Sequence, residues 1–208
     1  MGQLFTLHGL LALVVGYLLG SVPFGLLLTR AAGAGDLREI GSGNIGATNV
    51  LRTGRKDLAA ATLLLDALKG TLAVMMVYDA SLRLGGDVPN ALNYSHIAGF
   101  GALLGHAFPV WLRFQGGKGV STFMGVLIGM YWVAAAWFGV VWLGVAAATR
   151  YSSLAALSAT AGVVLFYLIT GWTGLPYILA MAVVIFLKHH ENIRRLRAGR
   201  ESKIGAQS

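Results

Sequence analysis

Long apolar runs broken by short polar intervals dominate the chain, and they are too uniformly apolar to read as surface helices with one wet face. The runs fall at residues 4–29, 58–78, 94–112, 120–132, 133–148, 154–170 and 175–187. A hydrocarbon core asks for roughly 20 helical residues, fewer where the bilayer is thin. The pattern therefore predicts an all-α, polytopic membrane bundle of seven transmembrane helices in a single domain over residues 1–208. Residues 120–148 lack a polar break and read either as one tilted helix or as two short ones with a turn near residues 131–134.

Charge decides between these. With seven spans, Arg30, Arg38, Arg52, Arg55, Lys56, Arg113, Lys118, Arg150, Lys188 and the tail cations share one side, and Arg83 is the loop cation opposite them. A single helix over 120–148 would split the basic loop and the basic tail across the membrane. Cytoplasmic loops carry the excess of Lys and Arg, so the rule selects two helices, an N-terminus outside and a C-terminus in the cytoplasm. The first run continues past Pro23 with no basic segment before it and no cleavage pattern after it, which marks a retained span rather than a signal peptide.

Composition agrees. Hydrophobic residues make up 56% of the chain, charged residues 12%, and mean hydropathy is +0.70. The net charge of +8 is a topology signal and an attraction to anionic membrane lipid, so no nucleic-acid partner is implied. Small-residue pairs at Gly16/Gly20 and Gly101/Gly105 suit close helix packing within one bundle. Cysteine is absent, which excludes disulfides, thiolate metal ligands and a cysteine nucleophile. About residues 199–208 read as a short flexible tail.

Three polar clusters interrupt the apolar pattern, all on the predicted cytoplasmic side. Residues 41–56 form a glycine-rich basic loop: Gly46 and its fellow glycines let the backbone approach a ligand, Ser42, Asn44, Thr48 and Asn49 add short donors, and Arg52, Arg55 and Lys56 add charge. That combination suits an anion at the membrane boundary. Residues 106–122 include Gly116, Gly117, Lys118 and Gly119 directly before an apolar helix, where free N–H groups and the positive end of the dipole favour a phosphate. The spacing is not that of a Walker A loop. Residues 188–197 continue the last apolar run as a helix that puts His189, Asn192 and Leu196 on one face, with Glu191 and Arg195 as an i, i+4 pair. Inside the second run, Asp66 and Lys69 stand at i, i+3 and suit mutual pairing in a structural, loop-anchoring role. His8, His96, Met75, Met76 and Trp132, Trp137 and Trp142 read as interface belt and packing.

The segments Gly-Ser-Gly-Asn-Ile-Gly-Ala-Thr-Asn-Val-Leu-Arg, His-Ala-Phe-Pro-Val-Trp-Leu with the following Gly-Gly-Lys-Gly-Val, and His-His-Glu-Asn-Ile-Arg-Arg-Leu, in this order, closely resemble the acyl-phosphate:glycerol-3-phosphate acyltransferase family of bacterial membranes, the PlsY type. The resemblance spans nearly the whole chain. It implies a seven-helix enzyme of the bacterial cytoplasmic membrane, active at its cytoplasmic side. The reaction implied moves a fatty acyl group from acyl phosphate to the 1-position of glycerol 3-phosphate, giving lysophosphatidic acid and phosphate. By motif position it implies catalytic and glycerol-3-phosphate-binding roles for Ser42 and Arg52, with Asn44 and Thr48 completing the anion pocket. Lys118 with Gly116, Gly117 and Gly119 would hold acyl-phosphate oxygens, and His189 and Asn192 would contact glycerol 3-phosphate. The His-x-Glu-Asn spacing selects His189, with His190 as the alternative.

Residue chemistry narrows the mechanism. Acyl phosphate is a mixed anhydride with a good leaving group, so positioning and anion stabilisation matter more than a strong protein nucleophile. Trp111 stands where a histidine-plus-five aspartate would complete a His-Asp base with His106. A substrate phosphate oxygen is then the expected proton acceptor, with Ser42 donating hydrogen bonds. The acids are too scattered for a metal-dependent phosphatidyltransferase, so neither metal nor cofactor is expected. A small-anion transporter is the competing class, and it predicts substrate groups near the bilayer midplane.

Overall fold

The structure, a computed structural model, describes Leu4 and residues 6–205. Its described residues contain helices and turns and no strand. In chain order the helices are α1 Leu7–Gly20, α2 Phe24–Ala31, α3 Ala47–Val50, α4 Lys56–Arg83, α5 Val88–Ala107, α6 Val120–Met130, α7 Trp132–Thr149, α8 Ser152–Thr170, α9 Leu175–Lys188 and α10 His190–Arg197.

Glycines decide the central packing. α1 runs along α5, and a side chain added at Gly16 or Gly20 would collide with the backbone of Ala98 or Ala102. The reverse holds at Gly101 and Gly105, which face the backbone of Leu13 and Tyr17. Both small-residue pairs read from the sequence therefore belong to one interface inside the bundle, where dispersion and close backbone approach drive association. α4 packs on α5 and α6, α7 on α8, and α8 on α9. The apolar core draws Ile97, Leu103, Phe123, Val126, Phe138, Tyr167 and Ile178 from these helices.

Four stretches are long and apolar enough to cross a membrane: Leu7–Ala31, Lys56–Arg83, Trp132–Thr149 and Ser152–Thr170. α6 and α9 are shorter apolar helices. The break within residues 120–148 falls at Tyr131, whose extended backbone (φ −157°, ψ 94°) ends α6 and starts α7. Other boundaries differ from the pattern. Residues 4–29 read as one run, but the helix is interrupted at 21–23, since Pro23 lacks an N–H and biases Val22 away from helical backbone. The carbonyl of Val22, freed by the break, accepts from Lys69 Nζ at 2.8 Å. Likewise the last run does not continue as one helix: it breaks at His189, and α10 starts afresh.

Lys69 also pairs with Asp66 at 2.6 Å, and His106 Nδ1 lies 3.7 Å from the same carboxylate oxygen. All three side chains are buried. Charge inside an apolar bundle is tolerable only when paired, and here the pairing fastens the α1–α2 break to α4 and to the end of α5. His106 in turn carries the polar loop that follows α5.

Candidate active site

The first polar loop rests on a small apolar cluster of Leu26, Leu37, Ile45, Val50 and Ala59, which fixes a segment that has little regular structure. Gly41 and Gly43 turn in left-handed backbone (φ 53° and 67°). Asn49, expected among the anion donors, has another task. Its Nδ2 donates to the carbonyls of Leu37 and Ile40 at 3.0 and 2.9 Å, and its Oδ1 accepts from the Ser42 N–H at 3.2 Å. Buried at 2% exposure, it clamps the loop and sets Ser42 at the rim, because backbone groups inside so tight a turn lack other partners.

The second loop leaves α5 through Phe108 and is held by Gly116 N–H to Ala107 O at 3.2 Å and Gly117 N–H to His106 O at 3.0 Å. Gly117 is glycine for a local reason: any side chain would strike the His106 imidazole. Gly119, at φ 81°, caps α6, so Lys118 projects beside the positive end of that helix. Arg113 and Phe114 sit in left-handed backbone without being glycine (φ 52° and 63°), a conformation kept only where the surroundings impose it.

The third cluster centres on the break at His189. Lys118 Nζ donates to Asn192 Oδ1 at 2.5 Å, joining the second and third clusters. Asn192 Nδ2 donates to Glu201 Oε1 at 2.6 Å, Ser153 Oγ to the same oxygen at 2.7 Å, and Arg195 Nε to Glu201 Oε2 at 2.7 Å. The tail expected to hang free from about residue 199 is thus anchored at Glu201, because a nearly buried carboxylate there meets three donors. Ser202 Oγ accepts from Arg52 Nη2 at 2.6 Å, tying the third cluster to the first, and Ile204 exchanges hydrogen bonds with Arg150 at 2.7 and 3.1 Å. The expected tail residues 206–208 lie outside the described residues.

Electrostatics follow from burial. Desolvation lowers the Lys118 ammonium to about 8, Arg195 pushes the same way, and Glu201 and Glu191 oppose. Burial also lowers His189 to about 4, so its imidazole is neutral near pH 7, with Nδ1 against the Ile185 carbonyl at 2.7 Å. Burial works to raise the Glu201 pKa, but hydrogen bonds from Ser153, Asn192 and Arg195 prevail and hold it below the usual value.

Ser42, Gly43 and Asn44 from the first loop, Phe108, Gly116 and Lys118 from the second, and Leu187, Lys188 and His190 from the third enclose an open cleft of about 450 Å³. All three polar clusters therefore meet at one place. Asn192 and Arg52 are not among its lining residues: Asn192 is bonded to Lys118 on the wall, and Arg52 is bonded to Ser202 of the tail. Gly46, Thr48, Asn49, Gly117, Gly119 and His189 stand outside it: Thr48 is exposed on α3, Gly117 abuts the His106 ring, Gly119 caps α6, and His189 is buried within charge range of Lys118 and Glu201. His190, the alternative histidine, is the one on the cleft wall. Lys188 and Glu201 were missed as site residues. Lys188 looked like one more topology charge, and the partners of Glu201 lie 6, 9 and 48 residues away, beyond the i, i+3 and i, i+4 spacings of a helix. Among the described residues no three His, Asp or Glu side chains gather as metal ligands would.

Apolar helices of membrane-crossing length, joined to a cationic, hydroxyl-bearing cleft built from three loops, define an integral membrane protein equipped to hold anions. Comparison with known proteins makes the class specific. The sequence model of the family described as Glycerol-3-phosphate acyltransferase matches residues 10–199. A glycerol-3-phosphate acyltransferase of Mesorhizobium japonicum is 58% identical over 200 residues, covering 95% of this chain and 97% of the relative. One of Bradyrhizobium sp. is 57% identical over 197 residues, covering 94% and 95%. The crystal structure of PlsY (YgiH), an integral membrane glycerol 3-phosphate acyltransferase, in its glycerol 3-phosphate form superposes with a TM-score of 0.84 at 36% identity, covering 94% of this chain and 95% of that one. Its lysophosphatidic acid form gives 0.82 at 34%. The chain belongs to the glycerol-3-phosphate acyltransferase family.

Proposed function

We propose that this enzyme transfers a fatty acyl group from acyl phosphate to the sn-1 hydroxyl of glycerol 3-phosphate, releasing lysophosphatidic acid and inorganic phosphate for phospholipid synthesis. The acceptor oxygen bonds to the acyl carbon, the anhydride C–O bond to phosphate breaks, and the hydroxyl proton passes to a phosphate oxygen. Ser42 steadies that exchange with hydrogen bonds and carries no acyl group. Arg52 and Asn192 hold the glycerol 3-phosphate with Asn44, and Lys118 at the Gly116–Gly119 turn neutralises charge on the donor. His189 acts as a neutral hydrogen-bonding group. The observation carrying this reading is the meeting of Ser42, Asn44, Gly116 and Lys118 on one cleft.

The same reading places seven crossings in the bacterial cytoplasmic membrane, an N-terminus outside, and the cleft open to the cytoplasm. It is supported by the one-sided distribution of Lys and Arg.

Purified protein in lipid nanodiscs, given acyl phosphate and glycerol 3-phosphate without metal, is expected to release phosphate only when both are present. Arg52→Ala is expected to abolish that release. Anion flux without bond cleavage would mean a transporter instead. Because the chain has no cysteine, single cysteines at Ser42, Gln115 and Arg200 report sidedness directly, and labelling from the periplasmic side would overturn the orientation.

A further inference from the structure

Two openings of opposite chemistry meet on α9 and α10. One is the polar cleft. The other is an apolar groove walled by Leu179, Ala182, Val183, Phe186 and Ile193, and it shares Leu187 and His190 with the cleft. Between them stands Lys188. Its Nζ donates to the Ala107 carbonyl at 3.0 Å and lies 4.9 Å from the centroid of the Phe108 ring, which fixes the ammonium on the cleft wall. An ammonium has three N–H donors, so donors beyond the Ala107 bond remain to face the cleft. The residues lining that cleft include Lys118 and no carboxylate.

A ligand that fills both openings needs an anionic head continuous with a long apolar chain. Of the two substrates, the acyl donor has that form and glycerol 3-phosphate does not. We infer that acyl phosphate binds across the Leu187–His190 junction, with its chain in the α9 groove and its phosphate held jointly by Lys188 and Lys118. This rests on the acyl-phosphate reading above and adds a binding residue and a chain subsite to it. The Ala107 hydrogen bond also explains the placement. It fastens Lys188 to the residue that receives the Gly116 N–H, so the two halves of the phosphate grip move as one.

The test is steady-state kinetics of the full chain in nanodiscs, varying palmitoyl phosphate and glycerol 3-phosphate independently. Lys188→Met keeps the chain length and removes the charge. It is expected to raise the KM for palmitoyl phosphate roughly tenfold or more while the KM for glycerol 3-phosphate stays within about twofold, and Lys188→Arg is expected to recover most of the loss. An unchanged donor KM, or a rise confined to glycerol 3-phosphate, would overturn the assignment. Should Lys188→Met fail to accumulate folded, Val183→Trp fills the groove away from the cleft. It is expected to lower kcat/KM for palmitoyl phosphate about tenfold relative to butyryl phosphate, and an equal effect on both chains would count against the groove. A parent protein without acyl-phosphate-dependent turnover would refute the underlying reading, whereas an active parent with an indifferent Lys188→Met refutes this inference alone.

Discussion

Replacing Glu201 by alanine removes the acceptor of three donors at once: Ser153 Oγ, Asn192 Nδ2 and Arg195 Nε, at 2.7, 2.6 and 2.7 Å. Hydrogen bonds to a charged group contribute roughly 1.5–3 kcal/mol each, but Arg195 is partly exposed, retains Glu191 at 3.7 Å and is rehydrated. The functional loss runs through Asn192. With its Nδ2 unpaired the amide is free to rotate, and the 2.5 Å bond from Lys118 loses its fixed acceptor. Losing one charge-assisted contact of about 1.5–3 kcal/mol corresponds to a roughly 10- to 150-fold fall in kcat/KM. The assay is phosphate release in nanodiscs, run beside a thermal unfolding scan. Glu201→Gln should be intermediate, because it still accepts from Asn192 but places an amide donor among donors. A Glu201→Ala enzyme that keeps parental kcat/KM within about twofold, at an unchanged Tm, would refute the chain of contacts from tail to Lys118.

Four further outcomes follow. Lys118, lowered to about 8 by burial, is charged below that pH and loses its proton as pH rises through it, so the KM for the anionic donor should climb toward about tenfold per unit at alkaline pH. A donor KM flat to about pH 9.5, or an alkaline limb that persists in Lys118→Arg, would argue against this. Asp66→Ala leaves Lys69 buried without its carboxylate and is expected to cost about 3–5 kcal/mol, read as a large drop in Tm. Gly20→Leu drives a side chain into the Ala102 backbone and should destabilise by at least about 1–3 kcal/mol; an unchanged Tm would place the α1–α5 contact elsewhere. Glu201, held below its usual value, stabilises the fold above the ordinary glutamate pKa and ceases to do so as acid protonates it. Acid unfolding of Glu201→Gln should therefore show a shallower pH dependence than that of the parent.

Sequence made the helical membrane character legible because apolar runs tens of residues long have few other uses. It placed the α6–α7 break near Tyr131 through charge parity, where hydropathy alone was silent. It also led to the expectation that three polar clusters meet, and residues of all three line one cleft. It failed where one residue outweighs a window. Pro23 broke a run that the average carried straight through, and Lys69 then found the loosened Val22 carbonyl. Asn49 looked like a ligand donor because side-chain chemistry does not reveal which way an amide faces. Glu201 and Lys188 escaped because their meaning comes from Ser153 and Ala107, residues brought close only by folding.

The place of Glu201 in the chain has a consequence for how the site is held. Each described helix precedes it, so the partner of the Asn192 amide comes from outside the helical bundle. The helices set where Asn192 lies, while a residue beyond them sets which way its amide faces. Glu201 thus acts as a splint laid on the bundle from outside, and the orientation of one side chain is decoupled from the packing of the scaffold that carries it.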